Sequence, residues 1–412
     1  MHIVLDISRL LGLAWAGQLS GIDRVEFAHA RHWRGLPARD VTFVAQSPWG
    51  WFAALPDSLA HALLHEADRA IFPGKEGMLT RFRAMAAAAL TFKFWGMGRG
   101  ELARRIAARS DSFFLIVSHR ALHHERATGG LISLGARFVP LLHDLIPLTH
   151  PEYTRPLATR QHEAKLDMVA RRASGVMLTT EAVAESVRSH LIRRQRPLPA
   201  MGVMGLGLDL PAPRRRPPAP HPYFVMLGTI EPRKNHLLML QIWRDFAQEG
   251  LTDAPRLLIV GRRGWENEQV FRLLDRGNFG GLVEESGRLS DQEVAHLIQG
   301  ATALLCPSFV EGFGLPLAEA MALGTPVLAS DIPAAREVGG GAADYLHPLD
   351  YLGWRNAILE MADPRSTRRG AQLDRLANWE APSWGRHFSA VETFLQHLVG
   401  SEVSSPSILR HA

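Results

Sequence analysis

Two short stretches of this chain hold charged residues in patterns that could do chemistry. Residues 309–319 read FVEGFGLPLAE, with Glu311 and Glu319 eight positions apart and Phe313 bracketed by glycines. Residues 228–243 read GTIEPRKNHLLMLQIW and set Arg233 beside Lys234 just after an apolar run. Carboxylates accept hydrogen bonds from vicinal hydroxyls, on a sugar or a ribose, while neighbouring cations suit phosphate. The chain has 42 arginines but only four lysines, Lys75, Lys93, Lys165 and Lys234. In so arginine-biased a chain, a compact ammonium kept at Lys234 hints at a specific task such as phosphate binding. A charged turn capping a helix would look much the same. Retaining glycosidases also use two carboxylates, but those flank a scissile bond and come with no phosphate site.

Such residues need elements to position them. ATALLCPS (301–308) reads as a buried strand, FVEGFGLP as a turn, and LAEAMALG as a helix stopped at Gly324. Gly312 and Gly314 would let backbone amides come close to a ligand, and the helix start behind them favours an anion. Likewise YFVMLGTI (223–230) reads as a strand ending at Gly228, with a helix beginning near Asn235. Apolar runs at 256–261 and 325–330 continue the pattern. The first half repeats it at 2–7, 41–46, 113–118, 137–145 and 175–180. Continuous apolar strands alternating with helical segments predict parallel sheets buried on both faces. The fold class is therefore α/β, with two doubly wound halves facing across a cleft and ligands beyond the strands' carboxyl ends. LPAPRRRPPAPHP, with six prolines, cannot continue a helix or a central strand and reads as a linker. The expected division is 1–209, a linker at 210–222, a donor-type domain at 223–383, and a terminal helix and tail at 384–412.

Composition narrows the classes. The single cysteine, Cys306, permits no internal disulfide and reads as core filler in a reducing compartment. No apolar run approaches the ~18 residues of a membrane span. The opening HIVLDI, broken by Asp6 and followed by Arg9, reads as a first buried strand rather than a leader. Residues 1–216 hold 29 Lys and Arg against 18 Asp and Glu (+11), and residues 217–412 hold 17 against 23 (−6). A basic first half is suited to something anionic, whether nucleic acid, a membrane surface or a lipid-phosphate acceptor, unless its arginines merely decorate solvated faces. Residues 79–110 combine an alanine-rich centre, aromatic residues and seven cations with one acid. They suit a helix on an anionic interface or a solvated helical hairpin. His119, His123 and His124 lack the accompanying ligands of a metal site and read as surface or acceptor-side residues.

Taken together, EGFGLPLAE, GTIEPRKN, TPVLASDIPAAREV and GGGAADYLHPLD resemble family 4 of the retaining glycosyltransferases, in which two Rossmann-like domains form the GT-B architecture. SGIDRVEFAHA (20–30) and HDLIPLTHPEY (143–153) resemble that family's phosphate-side loop and His-Asp segment. The resemblance implies that Lys234 and Arg233 neutralise a donor diphosphate, with Gly228 and Thr229 beside them. It implies that Glu311 holds a hydroxyl of the donor sugar near the amides of Gly312, Phe313, Gly314 and Leu315, and that Glu319 holds the ribose. His143 would lie beside the transferred sugar, and Gly21 and Ile22 would approach the phosphates. Two positions depart from the family pattern. Thr229 stands where many members have arginine, and Asp23 stands where a loop glycine is common.

By this resemblance the protein is a metal-independent retaining hexosyltransferase without a cofactor. Its donor would be a nucleotide-diphosphate sugar, GDP-mannose favoured over a UDP-sugar. Its acceptor would be a glycan or lipid-linked glycan in surface polysaccharide or glycolipid synthesis. Nucleic acid is not expected as a partner. The location implied is the cytoplasm, with a peripheral place on the inner face of the membrane compatible with the basic half. A sugar-nucleotide epimerase or a non-catalytic relative could share this architecture. The spacing of Glu311 and Glu319 around GFG counts against the epimerase, and an intact Lys234, Glu311 and Glu319 counts against the non-catalytic relative. By the same resemblance the terminal helix (384–398) crosses back to the first domain, and the last dozen residues are expected to fray.

Overall fold

The computed structural model describes residues 1–16, 19–71, 76–118, 122, 125–211, 221–251, 253–400 and 408–409. The first half contributes β1 (His2–Asp6), β2 (Val41–Gln46), β3 (Phe52–Ala54), β4 (Ser112–Ile116), β5 (Arg137–Leu142), β6 (Gly175–Leu178) and β7 (Ala200–Val203). The second half contributes β8 (Tyr223–Leu227), β9 (Arg256–Val260), β10 (Val283–Gly287), β11 (Ala303–Cys306), β12 (Val327–Ser330) and β13 (Asp344–Leu346). β14 (Ile408–Leu409) returns to the first sheet. The apolar runs become strands because branched and aliphatic side chains pack on both faces of a parallel sheet. All five residues of β1 are buried, as the reading of HIVLDI as a first strand expected.

The first sheet runs β14-β7-β6-β5-β4-β1-β2-β3 and the second β10-β9-β8-β11-β12-β13. β3 pairs antiparallel with β2, while the other pairings are parallel. Counted from β8, the second sheet has the doubly wound order 3-2-1-4-5-6, with its reversal between β8 and β11. The crevice at that reversal lies beyond Leu227 and Cys306, and the two charged motifs follow those two strands.

Several features differ from expectation. β3, β7, β10, β13 and β14 have no long apolar run. β10, VEESG, is a half-exposed edge strand, and edge strands need only one apolar face or none. For the alanine-rich segment, by contrast, the hairpin of the two readings is the one observed. Its helix, Glu76–Phe94, buries Phe82, Ala86 and Ala89 and packs along the helix Asp57–Ile71, which makes a hairpin of the first domain. Fraying of the last dozen residues is contradicted at Ile408 and Leu409, which pair with Met201 and Gly202. Residues 212–220 of the expected linker lie outside the described residues, as do His119, His123 and His124. Among the described residues no helix is long and apolar enough to cross a membrane. Burial pushes the Cys306 thiol up to about 12, which leaves it a poor nucleophile.

The terminal helix, Trp384–Gly400, does cross back. Val391, Phe394 and Leu395 join the core of the first domain. Its His387 is buried against His29 of the helix Gly21–Trp33, with their Nε2 atoms 2.9 Å apart. His387 Nδ1 lies 2.7 Å from the Gly205 carbonyl, which can only accept, so Nδ1 carries the proton and His29 donates to His387 Nε2. Burial lowers His387 to about 4, against the pull of the Gly205 carbonyl, and lowers His29 well below its ordinary value. The stability these neutral rings contribute is present above pH ~6.5 and is lost as pH falls towards 4. For His387 alone the loss is about 3 kcal/mol. Melting at pH 5 is therefore expected well below that at pH 7.5, with a shallower acid limb in His387→Gln. An unchanged acid limb in that variant would contradict the assignment.

Candidate active site

A cleft of about 570 Å³ opens between the two sheets, and every residue that the resemblance assigned to the donor site lines it. Gly21, Ile22 and His143 come from the first domain. Gly228, Thr229, Arg233, Lys234, Glu311, Gly312, Phe313, Gly314, Leu315 and Glu319 come from the second.

The loop after β8 makes a single 3-10 turn, Pro232–Lys234. Asn235, in the left-handed conformation, then starts the helix His236–Gln248. This turn throws Arg233 and Lys234 toward the loop after β11. Lys234 Nζ donates to Glu311 Oε1 at 2.5 Å and Arg233 Nη1 to Glu311 Oε2 at 2.6 Å, while Ser308 Oγ donates to Oε1 at 2.8 Å. Burial alone would raise the Glu311 carboxyl, but Arg233 and Lys234 outweigh it and hold Glu311 at about 2. Arg233 is further tied by Glu231, whose carboxylate lies 2.6 Å from Nε. Arg233 is thus clamped between two carboxylates and the Val310 carbonyl at 3.2 Å. The pairing of Glu311 with both cations is a contact that the spacing in the sequence did not announce.

Glu319 sits one turn into the helix Leu315–Ala322, as expected, and behaves differently. Burial raises it to about 7, with Arg24 acting downward and Asp291 upward. Two carboxylates eight residues apart are thus one fixed anion and one group that titrates near neutrality. The helix opens on Gly314 at φ 90° with no side-chain cap; Pro316 has no N–H and the Leu317 amide donates to the Gly314 carbonyl at 3.0 Å, so Leu315 is the first-turn residue whose amide is left for the cleft.

The first domain closes the cleft from the other side. Asp23, the departure from the family glycine, caps its own helix. Its Oδ2 accepts from the Ser20 amide at 2.7 Å, and its Oδ1 pairs with Arg9. His143 is buried, and its Nε2 lies 2.8 Å from the Val117 carbonyl, so Nε2 carries the proton. Burial lowers its basicity.

Contacts across the cleft are close. A Cβ on Gly312 would fall 2.3 Å from the His143 backbone oxygen, so this position is a glycine because the domains meet there. The Gly312 carbonyl accepts from Thr180 Oγ1 at 2.9 Å and Thr179 Oγ1 at 3.3 Å. Arg24 pairs with Asp291 at 2.5 Å, Tyr153 stacks on Phe309 at 5.3 Å, and Glu337 accepts from the Glu181 amide at 2.7 Å.

Sequence reasoning missed Arg9, Arg24, Arg262, Arg288 and Asp291, all of which line the cleft. Arg262 and Arg288 follow Gly261 and Gly287 at the ends of β9 and β10. The apolar run at 256–261, which ends on Gly261, could have pointed to Arg262, whereas β10 gave no such signal for Arg288. Among the described residues no group of three or more His, Cys, Asp or Glu converges as a metal site would require.

Residues 213–342 match the family described as "Glycosyl transferases group 1". The chain is 31% identical over 261 residues to O-antigen chain mannosyltransferase B of Escherichia coli, covering 60% of this chain and 67% of that one. It is 30% identical over 251 residues to the serotype-specific mannosyltransferase WbdA of Escherichia coli, covering 55% of this chain and 31% of that one. It thus spans about a third of the length of that longer relative. Among solved structures it superposes on Anabaena Alr3699/HepE in complex with UDP-glucose with TM-score 0.64 at 14% identity. That alignment covers 96% of this chain and 100% of the other. At that identity the likeness speaks for the fold.

Proposed function

Because this chain belongs to the family of group 1 glycosyl transferases and has the GT-B fold, we propose that its cleft transfers mannose from GDP-mannose. The acceptor in this reading is a surface glycan or its lipid-linked precursor, and the anomeric configuration is retained. The observation that carries it is the Arg233–Glu311–Lys234 network at the reversal of a doubly wound sheet, beside an uncapped helix start. Two relatives named as mannosyltransferases support the sugar. A UDP-sugar is the alternative donor.

In the reaction proposed, the bond between the anomeric carbon and the diphosphate oxygen breaks and its electron pair leaves with the diphosphate. Lys234, Arg233 and the amides at Gly314 and Leu315 stabilise that developing charge. The acceptor oxygen bonds to the anomeric carbon from the same face, and its proton passes to a phosphate oxygen. Glu311 would then be a positioning residue that fixes both cations and offers its remaining acceptor capacity to a sugar hydroxyl. His143, neutral and protonated at Nε2, would line the sugar's side of the cleft.

Calorimetric titration with GDP-mannose, UDP-glucose and UDP-N-acetylglucosamine tests the donor. Tightest binding of GDP-mannose is expected, and binding of a UDP-sugar alone would shift the donor. An epimerised donor recovered without acceptor would point to the epimerase instead.

Glu319 adds a pH signature. If its carboxylate accepts from both ribose hydroxyls, donor affinity should rise about tenfold from pH 6 to pH 8 as the group ionises near 7. For folding the sign is opposite. A carboxyl raised by burial contributes its stability below ~4.3 and loses it as pH rises through about 7. Glu319→Gln should flatten the affinity profile, and an unchanged slope would remove Glu319 from the ribose site.

A further inference from the structure

The tip of the first domain exposes apolar surface that the transfer chemistry does not use. Trp49 is 62% exposed, Phe94 44%, Trp95 73% and Met97 45%. Trp49 lies in the turn between β2 and β3. The other three lie at the end of the Glu76–Phe94 helix and in the turn after it. The Trp49 and Phe94 ring centroids are 5.9 Å apart, and those of Phe94 and Trp95 5.7 Å. Apolar residues exposed singly are ordinary, whereas a contiguous group marks a contact surface.

The two turns are fastened together. Lys93 Nζ donates to the Gln46 carbonyl at 2.7 Å, which ties the helix end to the end of β2. Gly98 has φ +87°, and a Cβ there would fall 2.1 Å from the Ala54 carbonyl oxygen, so the second turn lies directly on β3. The Arg99 guanidinium sits 4.9 Å from the centre of the Trp51 ring. Cations bracket the aromatic group in sequence at Lys93 and Arg99. Further along, Arg104 pairs with Glu101, Arg105 with Glu101 and Asp57, and Arg109 with Asp40. Among the described residues no carboxylate is in ion-pair range of Arg99.

Tryptophan with flanking lysine and arginine is the composition of a membrane–water interface, where the rings sit at headgroup level and cations meet phosphate. The +11 balance of residues 1–216 favours an anionic surface over a second, equally basic copy of the same face. The position fits too. β1, β2 and β5 are parallel, so Gln46 at the end of β2 lies on the sheet edge whose loops wall the cleft. Its amide donates to Ser8 Oγ at 2.7 Å, one residue from Arg9 in the cleft wall.

We propose that this tip seats the protein on an anionic phospholipid bilayer, with Trp49, Phe94, Trp95 and Met97 in the interface and Lys93 and Arg99 on headgroup phosphates. Its purpose, bringing a lipid-linked acceptor to the cleft, rests on the proposed transfer reaction. The binding itself is measured without donor or acceptor and so can fail separately.

The test is co-sedimentation of the full chain with vesicles of phosphatidylcholine alone or mixed with phosphatidylglycerol. Binding is expected on the mixed vesicles and should weaken with added salt. Trp49→Ser with Trp95→Ser should weaken it about tenfold while GDP-mannose affinity stays unchanged. Lys93→Gln with Arg99→Gln should weaken it without altering the melting temperature by more than a few degrees. Absence of binding to the mixed vesicles, or equal binding by the tryptophan double variant, overturns the proposal. So does a wild-type dimer in sedimentation equilibrium that the double variant dissolves, since the tip would then face a second copy.

Discussion

Replacing Lys234 by alanine is expected to lower turnover of the nucleotide sugar by about 10²–10³-fold, with the melting temperature changed by only a few degrees. The asymmetry follows from where the charge lies. Arg233 is held at Nε by Glu231 and at Nη1 by Glu311 and Val310, so little of its guanidinium can be redirected. Lys234 is a point charge on a flexible stem, packed beside Gly228 and bonded to Glu311 through Nζ. It can serve both Glu311 and a departing diphosphate, whose negative charge grows only as the glycosidic bond breaks. Its loss should therefore fall on kcat more than on donor affinity. The structural cost is small because Glu311 keeps Arg233 and the Ser308 hydroxyl. Lys234→Arg should recover only part of the rate, since a planar fork cannot occupy the same position. A purely KM effect in Lys234→Ala would mean that the lysine binds substrate and transition state alike.

Gly312→Ala should cost about 10²-fold in kcat/KM while leaving each domain folded. The added methyl would stand 2.3 Å from the His143 backbone oxygen and 3.0 Å from Asp144 Cβ. Backbone is on the receiving side of the first contact, so relief requires the domains to part or the loop to shift. Either movement breaks the hydrogen bonds from Thr179 and Thr180 to the Gly312 carbonyl and displaces Glu311, one residue away. Small-angle scattering should report a larger radius of gyration for the variant. Full activity in Gly312→Ala would mean that this closed approach of the two domains is not needed for transfer.

The two predictions differ in how far the sequence foreshadowed them. Lys234 was legible because it is the only lysine after residue 222 and follows an apolar strand. Glu311 and Glu319 were legible as a pair, but their opposite electrostatics were not. A titration near 7 and another near 2 arise from which cations stand close, and spacing along a helix carries no such information. Gly312 was read as an opening for ligand amides, whereas the demand for glycine comes from His143, 169 positions earlier and in the other domain. Asp23 looked like a flaw in a phosphate loop and turned out to be a helix cap. The long parallel strands showed themselves because burial on both faces forces continuous apolar runs. β10 and β13 escaped notice because an edge position relaxes that demand, and β14 because two residues make no pattern. The aromatic tip was hidden for a related reason. Trp49 and Trp95 lie 46 positions apart and meet only through the fold.

Transfer of a sugar from a nucleotide donor by this cleft is tested by incubating the full chain with radiolabelled GDP-mannose and membrane extract, then counting label in the lipid-soluble and polymer fractions. Label is expected in one of those fractions with the wild type and almost none with Lys234→Ala, at equal protein folding. Label that never leaves the nucleotide, with GDP-mannose or with a UDP-sugar, would contradict it.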